Sequence, residues 1–544
     1  MMRAAALVVL AACVSCKCGA MVSPPAAAPV TVTVAYGSEK KKWLDEQIKS
    51  FAGTTRSGRP IRIDARPMGS GEAMQAIVSG ALKPTVFSPA SGAYVTLLNQ
   101  AWLSTPGRTK AVCPAGEPVV LSPIVIAMWK PMAQALGWPE KQLGWSDLLR
   151  VNAGKGWAAL GHPEWGSFKL GHTHPEMSNS GLLAVLAEAY AGAKKTRGLS
   201  VADFDNKATR AFVTAVESTI VHYGKSTGFF AEKMIARGPT YLSAAVLYEN
   251  LVIESYAESV NPPIVSLYPV EGTFWSDHPW AVLEADWVGA DEREGAGAFL
   301  AFLKARPAQE RALQLGFRPA DASIPISAPI DSWHGADPKQ PQTLLEVPEA
   351  PVLRALLDLW QQSKRSTDVA LVFDKSGSMK GRPLEEAKEG AKAFLRSLHD
   401  GDEASLQLFD NNIYPPFGPV KIGERRASLI ERIDETSASG GTSLYDATAA
   451  AVDAARERAR KDPARIHAVV VMTDGRDESS QMKLHELRAR LAGEDEAVKV
   501  FTIAYGSAAD PAVLVQIAEA AKGTSLKGSA ENIVQVYQEM ASFF

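Results

Sequence analysis

Val369-Ala370-Leu371-Val372-Phe373-Asp374-Lys375-Ser376-Gly377-Ser378-Met379 is an apolar run rich in β-branched residues that stops abruptly at an acid and two hydroxyls. A helical pattern begins just after it. Such a run reads as a buried parallel strand delivering its C-terminal end to a surface. In open α/β sheets that edge is where ligands bind. Carboxylate and hydroxyl oxygens on one short loop suit a hard divalent cation of magnesium type, not a soft metal.

Outward from this strand, Pro383 stands where a first-turn proline belongs, and Ala387, Ala391, Phe394, Leu395 and Leu398 keep helical spacing. Ala404 to Phe409 reads as a strand, and Leu429, Ile430 and Ile433 begin a short helix. Gly440-Gly441-Thr442-Ser443-Leu444 is a tight loop feeding a helix over 446–460. Ile466 to Met472 is a strand ending in Thr473-Asp474-Gly475, Val498 to Tyr505 is another, and two helices follow. This alternation predicts a doubly wound α/β domain over 366–544.

Asp374-x-Ser376-x-Ser378, Thr442 and Asp474, in that order at three strand ends or turns, resemble the metal-ion-dependent adhesion site of a von Willebrand factor type A domain. The resemblance implies Mg2+, with Mn2+ or Ca2+ as substitutes, held by Ser376, Ser378 and Thr442, with the two aspartates acting partly through water. It further implies an open metal position filled by a Glu or Asp of a partner protein. The competing reading has Asp374 and Asp474 merely capping helices or satisfying loop N–H groups. Ile533, Tyr537, Met540 and Phe544 form an apolar stripe on the last helix, read as core packing.

Upstream, Thr31 to Tyr36, Ile61 to Ala65 and Val86 to Phe87 read as three strands, each ending in a Ser-bearing loop that opens a helix. Residues 31–330 resemble a type II periplasmic solute-binding protein, a fold of two α/β lobes closing around a small ligand. Leu121-Ser122-Pro123-Ile124-Val125-Ile126-Ala127 resembles its first crossover strand and Gly144-Trp145-Ser146-Asp147-Leu148 the helix start after it. Met177-Ser178-Asn179-Ser180-Gly181 resembles the ligand-facing helix of the second lobe, Tyr248-Glu249 the return hinge, and Gly316-Phe317-Arg318-Pro319 the closing signature. By this resemblance Ser38, Ser70, Ser88, Ser91, Ser122 and Ser180 line an interlobe cleft. Hydroxyls at helix N-termini favour an oxyanion or carboxylate ligand, although for any single serine a plain N-cap is the commoner role. His172-Thr173-His174 would put two imidazoles on one strand face, but zinc needs further ligands and none is visible, so a loop near the cleft is expected. Trp129, Trp138, Trp145, Trp157 and Trp165 are expected to pack the core or the lobe interface.

Asp337-Pro338 and Val347-Pro348 mark a boundary segment over 331–365, in which Leu353, Leu356, Leu357 and Trp360 predict a short amphipathic helix docked on one domain. The N-terminus adds a compartment. Arg3 precedes the apolar run 4–12, too short to span a bilayer but suited to a signal peptide. Leu10-Ala11-Ala12-Cys13 resembles a bacterial lipoprotein processing box, with Cys13 as the lipidated residue, Cys16 as fallback, and 13–30 as an Ala/Pro-rich tether; a plain secretory signal is the alternative. Four cysteines, three of them in that segment, exclude a disulfide framework. A net charge of −3 offers nothing to nucleic acid.

The expectation is a non-enzymatic, membrane-anchored envelope lipoprotein that binds a protein partner through Mg2+, with the solute-binding-like domain as sensor or scaffold. The alternative is an ABC-transporter-type receptor for an oxyanion or carboxylate whose C-terminal domain recruits a permease or sensor. No catalytic triad, phosphate loop or catalytic thiol stands out.

Overall fold

Val30–Gly37 and Ile61–Met68 pair in parallel over their full lengths, because each is a β-branched alternation separated from the other by the amphipathic helix Lys41–Ser50. The computed structural model describes residues 28–154, 156–492, 498–506, 509–529 and 532–541. The signal segment, Cys13, Cys16, Cys18, most of the tether and Phe544 lie outside the described residues.

The first lobe is a sheet in the order Ile61–Met68, Val30–Gly37, Val86–Ser88, Pro279–Val282 and Glu117–Pro118. Val120–Trp129 leaves it and becomes the spine of the second lobe, pairing antiparallel with Ala244–Tyr248. Leu170–Thr173 and Ile220–Gly224 extend that sheet in parallel. The chain returns to the first lobe at Asp277-His278, just ahead of Pro279–Val282. Tyr248-Glu249, expected as the return hinge, does different work. Arg318 forks onto the Glu249 carboxylate at 2.9 and 2.8 Å, and the Tyr268 hydroxyl shares it. Arg318-Pro319 pairs with Leu121 and Val120, so this buried ion pair pins the crossover strand.

The linker helix Ala350–Ser363 buries Leu353, Leu356, Leu359 and Trp360 against the second lobe. Trp360 is fully enclosed, with its ring near Tyr223 and His174. The C-terminal sheet runs Phe417–Lys421, Glu403–Phe409, Thr367–Asp374, Ile466–Thr473, Val498–Tyr505 and Ser525–Gly528, with only the first edge strand antiparallel. Every residue of Thr367–Asp374 is buried. The two edge strands are absent from the sequence expectation, and the short helix expected at Leu429 runs from Ile422 to Asp434. Ile533–Ala541 lies on Arg382–Ser397, where a Cβ on Gly390 would come within 2.5 Å of the Tyr537 ring. Arg237, ending the helix Thr227–Arg237, donates to the Lys522 and Gly523 carbonyls at 3.2 and 2.6 Å and joins the second lobe to the C-terminal domain. Lys499 adds a bond to the Val221 carbonyl at 2.6 Å. Among the described residues, no helix is long and apolar enough to cross a membrane.

Glu249→Ala leaves the Arg318 guanidinium buried and uncompensated. A cost of about 3–5 kcal/mol is expected in denaturant unfolding; a loss below about 1 kcal/mol, the level of an exposed pair, would mean the pair does not pin the crossover.

Candidate metal centre and interlobe cleft

Asp374 closes the central strand, where an apolar run has no further residue to bury and the chain must turn. Its carboxylate accepts from the Ser376 N–H at 2.7 Å and from the Thr473 hydroxyl of the neighbouring strand. Ser376 and Ser378 hydroxyls are 3.1 Å apart, and Ser378 donates to Asp474 at 2.7 Å. Gly475 lies beneath them: a Cβ there would be 3.3 Å from the Thr442 hydroxyl and 3.7 Å from that of Ser378. The Gly377 N–H donates to the Gly440 carbonyl at 2.9 Å, and Gly440 takes a positive φ of 77° at this tight turn. The five sequence-predicted oxygen donors therefore stand together on one sheet edge.

A clamp not foreseen from sequence holds the first loop. Lys375 sits between Asp374 and Ser376, yet its ammonium turns away to Asp410 at 2.5 Å and Ser439 at 2.8 Å. This removes the nearest cation from the oxygen cluster. Burial pushes the Asp374 carboxyl up to about 6, against the hydrogen bonds from Thr473 and Ser376. Burial also raises Asp474. Two carboxylates short of positive charge, beside three neutral hydroxyls, form a donor set that fits a hard divalent cation.

The six serines are all buried. Ser38 accepts from the Gly228 N–H at 3.0 Å, and Ser91 donates to Asn179 at 2.7 Å, both across the lobes. Ser180 bonds Thr173 and Thr227, each at 2.8 Å, within the second lobe. Ser70 accepts from the Ala90 N–H at 3.1 Å, and Ser122 meets Asn250 at 3.1 Å beside the crossover strand. Ser88 is the one of the six whose hydroxyl has no hydrogen-bond partner. The Gly71 and Glu72 N–H groups, at the N-terminus of the helix Ser70–Ser79, donate to the Met177 carbonyl of the other lobe at 3.0 and 3.1 Å. A Cβ on Gly71 would lie 2.0 Å from the Glu176 carbonyl oxygen, so the lobes meet backbone to backbone.

Glu39, Lys40 and His278 fill the adjoining space and went unnoticed in the sequence. The Lys40 ammonium, wholly buried, donates to Glu39 at 3.0 Å and to the Ser88 and Pro89 carbonyls at 3.1 and 3.2 Å. Burial would raise Glu39, but Lys40 and His278 bring its carboxyl down to about 2. The chain's own carboxylate thus lies at the first strand end. His172 also departs from the loop expected there: it lies in the strand Leu170–Thr173, fully buried against Glu217.

A family model described as bacterial extracellular solute-binding protein matches residues 32–318, more than half of the chain. A second, for the von Willebrand factor type A domain, matches residues 368–538. An uncharacterized protein of Synechocystis is 30% identical over 159 residues, covering 29% of this chain and 36% of that protein. The chain spans about a third or less of the length of the curated relatives it matches. The sulfate-binding protein SubI of Mycobacterium tuberculosis is 20% identical, with 54% of this chain and 88% of that one covered and a TM-score of 0.38. Proximal thread matrix protein 1 of the mussel byssus, solved with a zinc-occupied MIDAS motif, is 16% identical, with 37% and 52% covered and a TM-score of 0.28.

Two outcomes follow from this geometry. A hard divalent cation held there at about 100 times its Kd would stabilise the C-terminal domain by about 2.7 kcal/mol; a chelator-reversible rise in its melting temperature is expected, and Asp374→Ala should remove it. At the cleft margin, Glu254 accepts from Asn250 at 3.3 Å, and burial raises its carboxyl to about 7. A carboxyl raised on folding contributes stability fully below the unfolded value and loses it as pH rises through the folded one. Melts of the protein and of Glu254→Gln between pH 4.5 and 7 should diverge, the variant showing the flatter decline.

Proposed function

Because this chain belongs to the bacterial extracellular solute-binding protein family and carries a von Willebrand factor type A domain behind that module, we propose that it is an exported envelope lipoprotein that binds a protein partner through a Mg2+-dependent site. The single observation that carries the reading is the convergence of Asp374, Ser376, Ser378, Thr442 and Asp474 oxygens on one sheet edge, with Lys375 drawn away. In this reading Ser376, Ser378 and Thr442 hold the ion, and Asp374 and Asp474 balance its charge. When bound, Mg2+ supplies a Lewis-acid position for a carboxylate oxygen of the partner. The role is recognition, with no bond made or broken, and Cys13 provides the membrane anchor.

The solute-binding module serves as the platform. Donors that would cradle an anion are used between the lobes, two of them by the Met177 carbonyl. The alternative, an oxyanion or carboxylate receptor whose C-terminal domain recruits a permease or sensor, draws support from the serines and helix N-termini facing the other lobe.

Capture of envelope proteins on the purified chain separates these readings. Specific partners are expected in Mg2+ and not in EDTA, nor with Asp374→Ala; metal-independent capture would overturn the mechanism. Sulfate, phosphate, dicarboxylates and sugars are expected to leave the melting of the first domain unchanged, and stabilisation by any of them would favour the receptor.

A further inference from the structure

The helix Asn179–Ala193 is buried on every residue from Asn179 to Tyr190, and Glu188 is the one charged residue in that stretch. Glu188 is fully enclosed, its carboxyl meets no N–H or hydroxyl donor, and burial beside Glu217, with a hydrogen bond between the two carboxyl groups, holds it well above the usual carboxylate range. It faces His172 and Glu217, also fully enclosed, with ligand atoms of the three side chains within 4.8 Å of one another.

The arrangement around them is specific. His172 Nδ1 lies 2.7 Å from the Thr173 carbonyl, and a carbonyl only accepts, so Nδ1 carries the proton. In the neutral ring this turns the Nε2 lone pair toward Glu217 Oε1, 3.0 Å away. The other Glu217 oxygen accepts from the Tyr223 hydroxyl at 2.6 Å and from the Trp360 indole at 3.2 Å. Three lone-pair donors thus converge in a dry interior, with the outer hydrogen bonds that orient metal-binding histidines and carboxylates already in place.

We propose that His172 Nε2, Glu217 and Glu188 bind one divalent transition-metal ion of zinc type inside the second lobe, beneath the linker helix. A neutral imidazole and two carboxylates would together cancel a 2+ charge, which a buried site requires. Ligands about 2.0–2.2 Å from zinc in a tetrahedron stand roughly 3.3 Å apart. The His172–Glu217 pair, 3.0 Å apart, lies a few tenths of an ångström inside that spacing and would open slightly around the ion. Glu188 supplies the third contact through one oxygen, within 4.8 Å of the other two ligand atoms, and leaves the fourth position to a small ligand such as water. Because Trp360 covers the cluster and bonds Glu217, the ion enters before the linker helix docks. The centre is separate from the oxygen cluster at Asp374, so its fate and that of the partner-binding reading are read independently.

The test uses the full chain with Asp374→Ala, which removes the other metal centre, unfolded in denaturant with chelator and refolded with or without Zn2+. About one zinc per chain retained through gel filtration, together with a higher melting temperature than the zinc-free sample, is expected, since metal bound on folding adds to folding stability. Glu188→Gln in the same background should lose the zinc and the stabilisation. Refolding with Co2+ should give visible ligand-field bands in the parent alone. Equal melting with and without zinc and no retained metal would overturn the proposal and assign the cluster a proton only. Glu188→Gln imitates that protonated acid; should it not fold, the parent comparison decides alone.

Discussion

A carboxylate taken out of water must be given a cation or a proton, and this chain meets that requirement at several points where its layers join. Isolated, such a group would cost several kcal/mol. Glu39 receives the Lys40 ammonium between the lobes, and Glu249 receives the Arg318 guanidinium at the crossover strand. Asp368, early in the central C-terminal strand, receives Arg458 and His467. Asp374, at the other end of that strand, receives hydroxyl and amide hydrogen bonds but no side-chain cation, because Lys375 is committed to Asp410. The contrast between the two ends of one strand separates a structural acid from one left open to an external ion.

Much of this was legible in the residues. The apolar run ending at Asp374, the Gly-Gly turn before Thr442 and the strand before Asp474 each announce a parallel strand or its loop. The edge strands Phe417–Lys421 and Ser525–Gly528 did not, because Gly, Pro and Lys protect an edge while erasing its apolar alternation. The Lys375–Asp410 clamp joins residues 35 apart and leaves no local pattern. The serines were legible as helix-start hydroxyls, but not as groups already occupied. Their competitors include backbone atoms, such as the Gly228 N–H and the Met177 carbonyl, and every residue has those. Glu188 was a readable signal, an acid in the run Leu-Leu-Ala-Val-Leu-Ala-Glu-Ala-Tyr, whose meaning depends on Glu217 arriving from 29 residues away.

At the interlobe surface the two lobes meet backbone to backbone. Gly69, Gly71 and Gly228 permit backbone approach that any Cβ would prevent. What would otherwise be a row of free N–H groups at helix ends is satisfied by the opposite lobe. A buried Lys–Glu pair adds to these bonds beside the seam.

The helix Thr227–Arg237 has a mechanical consequence. Near its start, the Gly228 N–H grips Ser38 of the first lobe; at its end, Arg237 grips the carbonyls of Lys522 and Gly523. Eleven residues make a rod of about 16 Å at about 1.5 Å per residue. The second lobe and the C-terminal domain are therefore joined at one end of this helix, and its other end adds one of several bonds to the first lobe. One helix thus touches all three parts of the chain, so a shift of either end would be felt at the other.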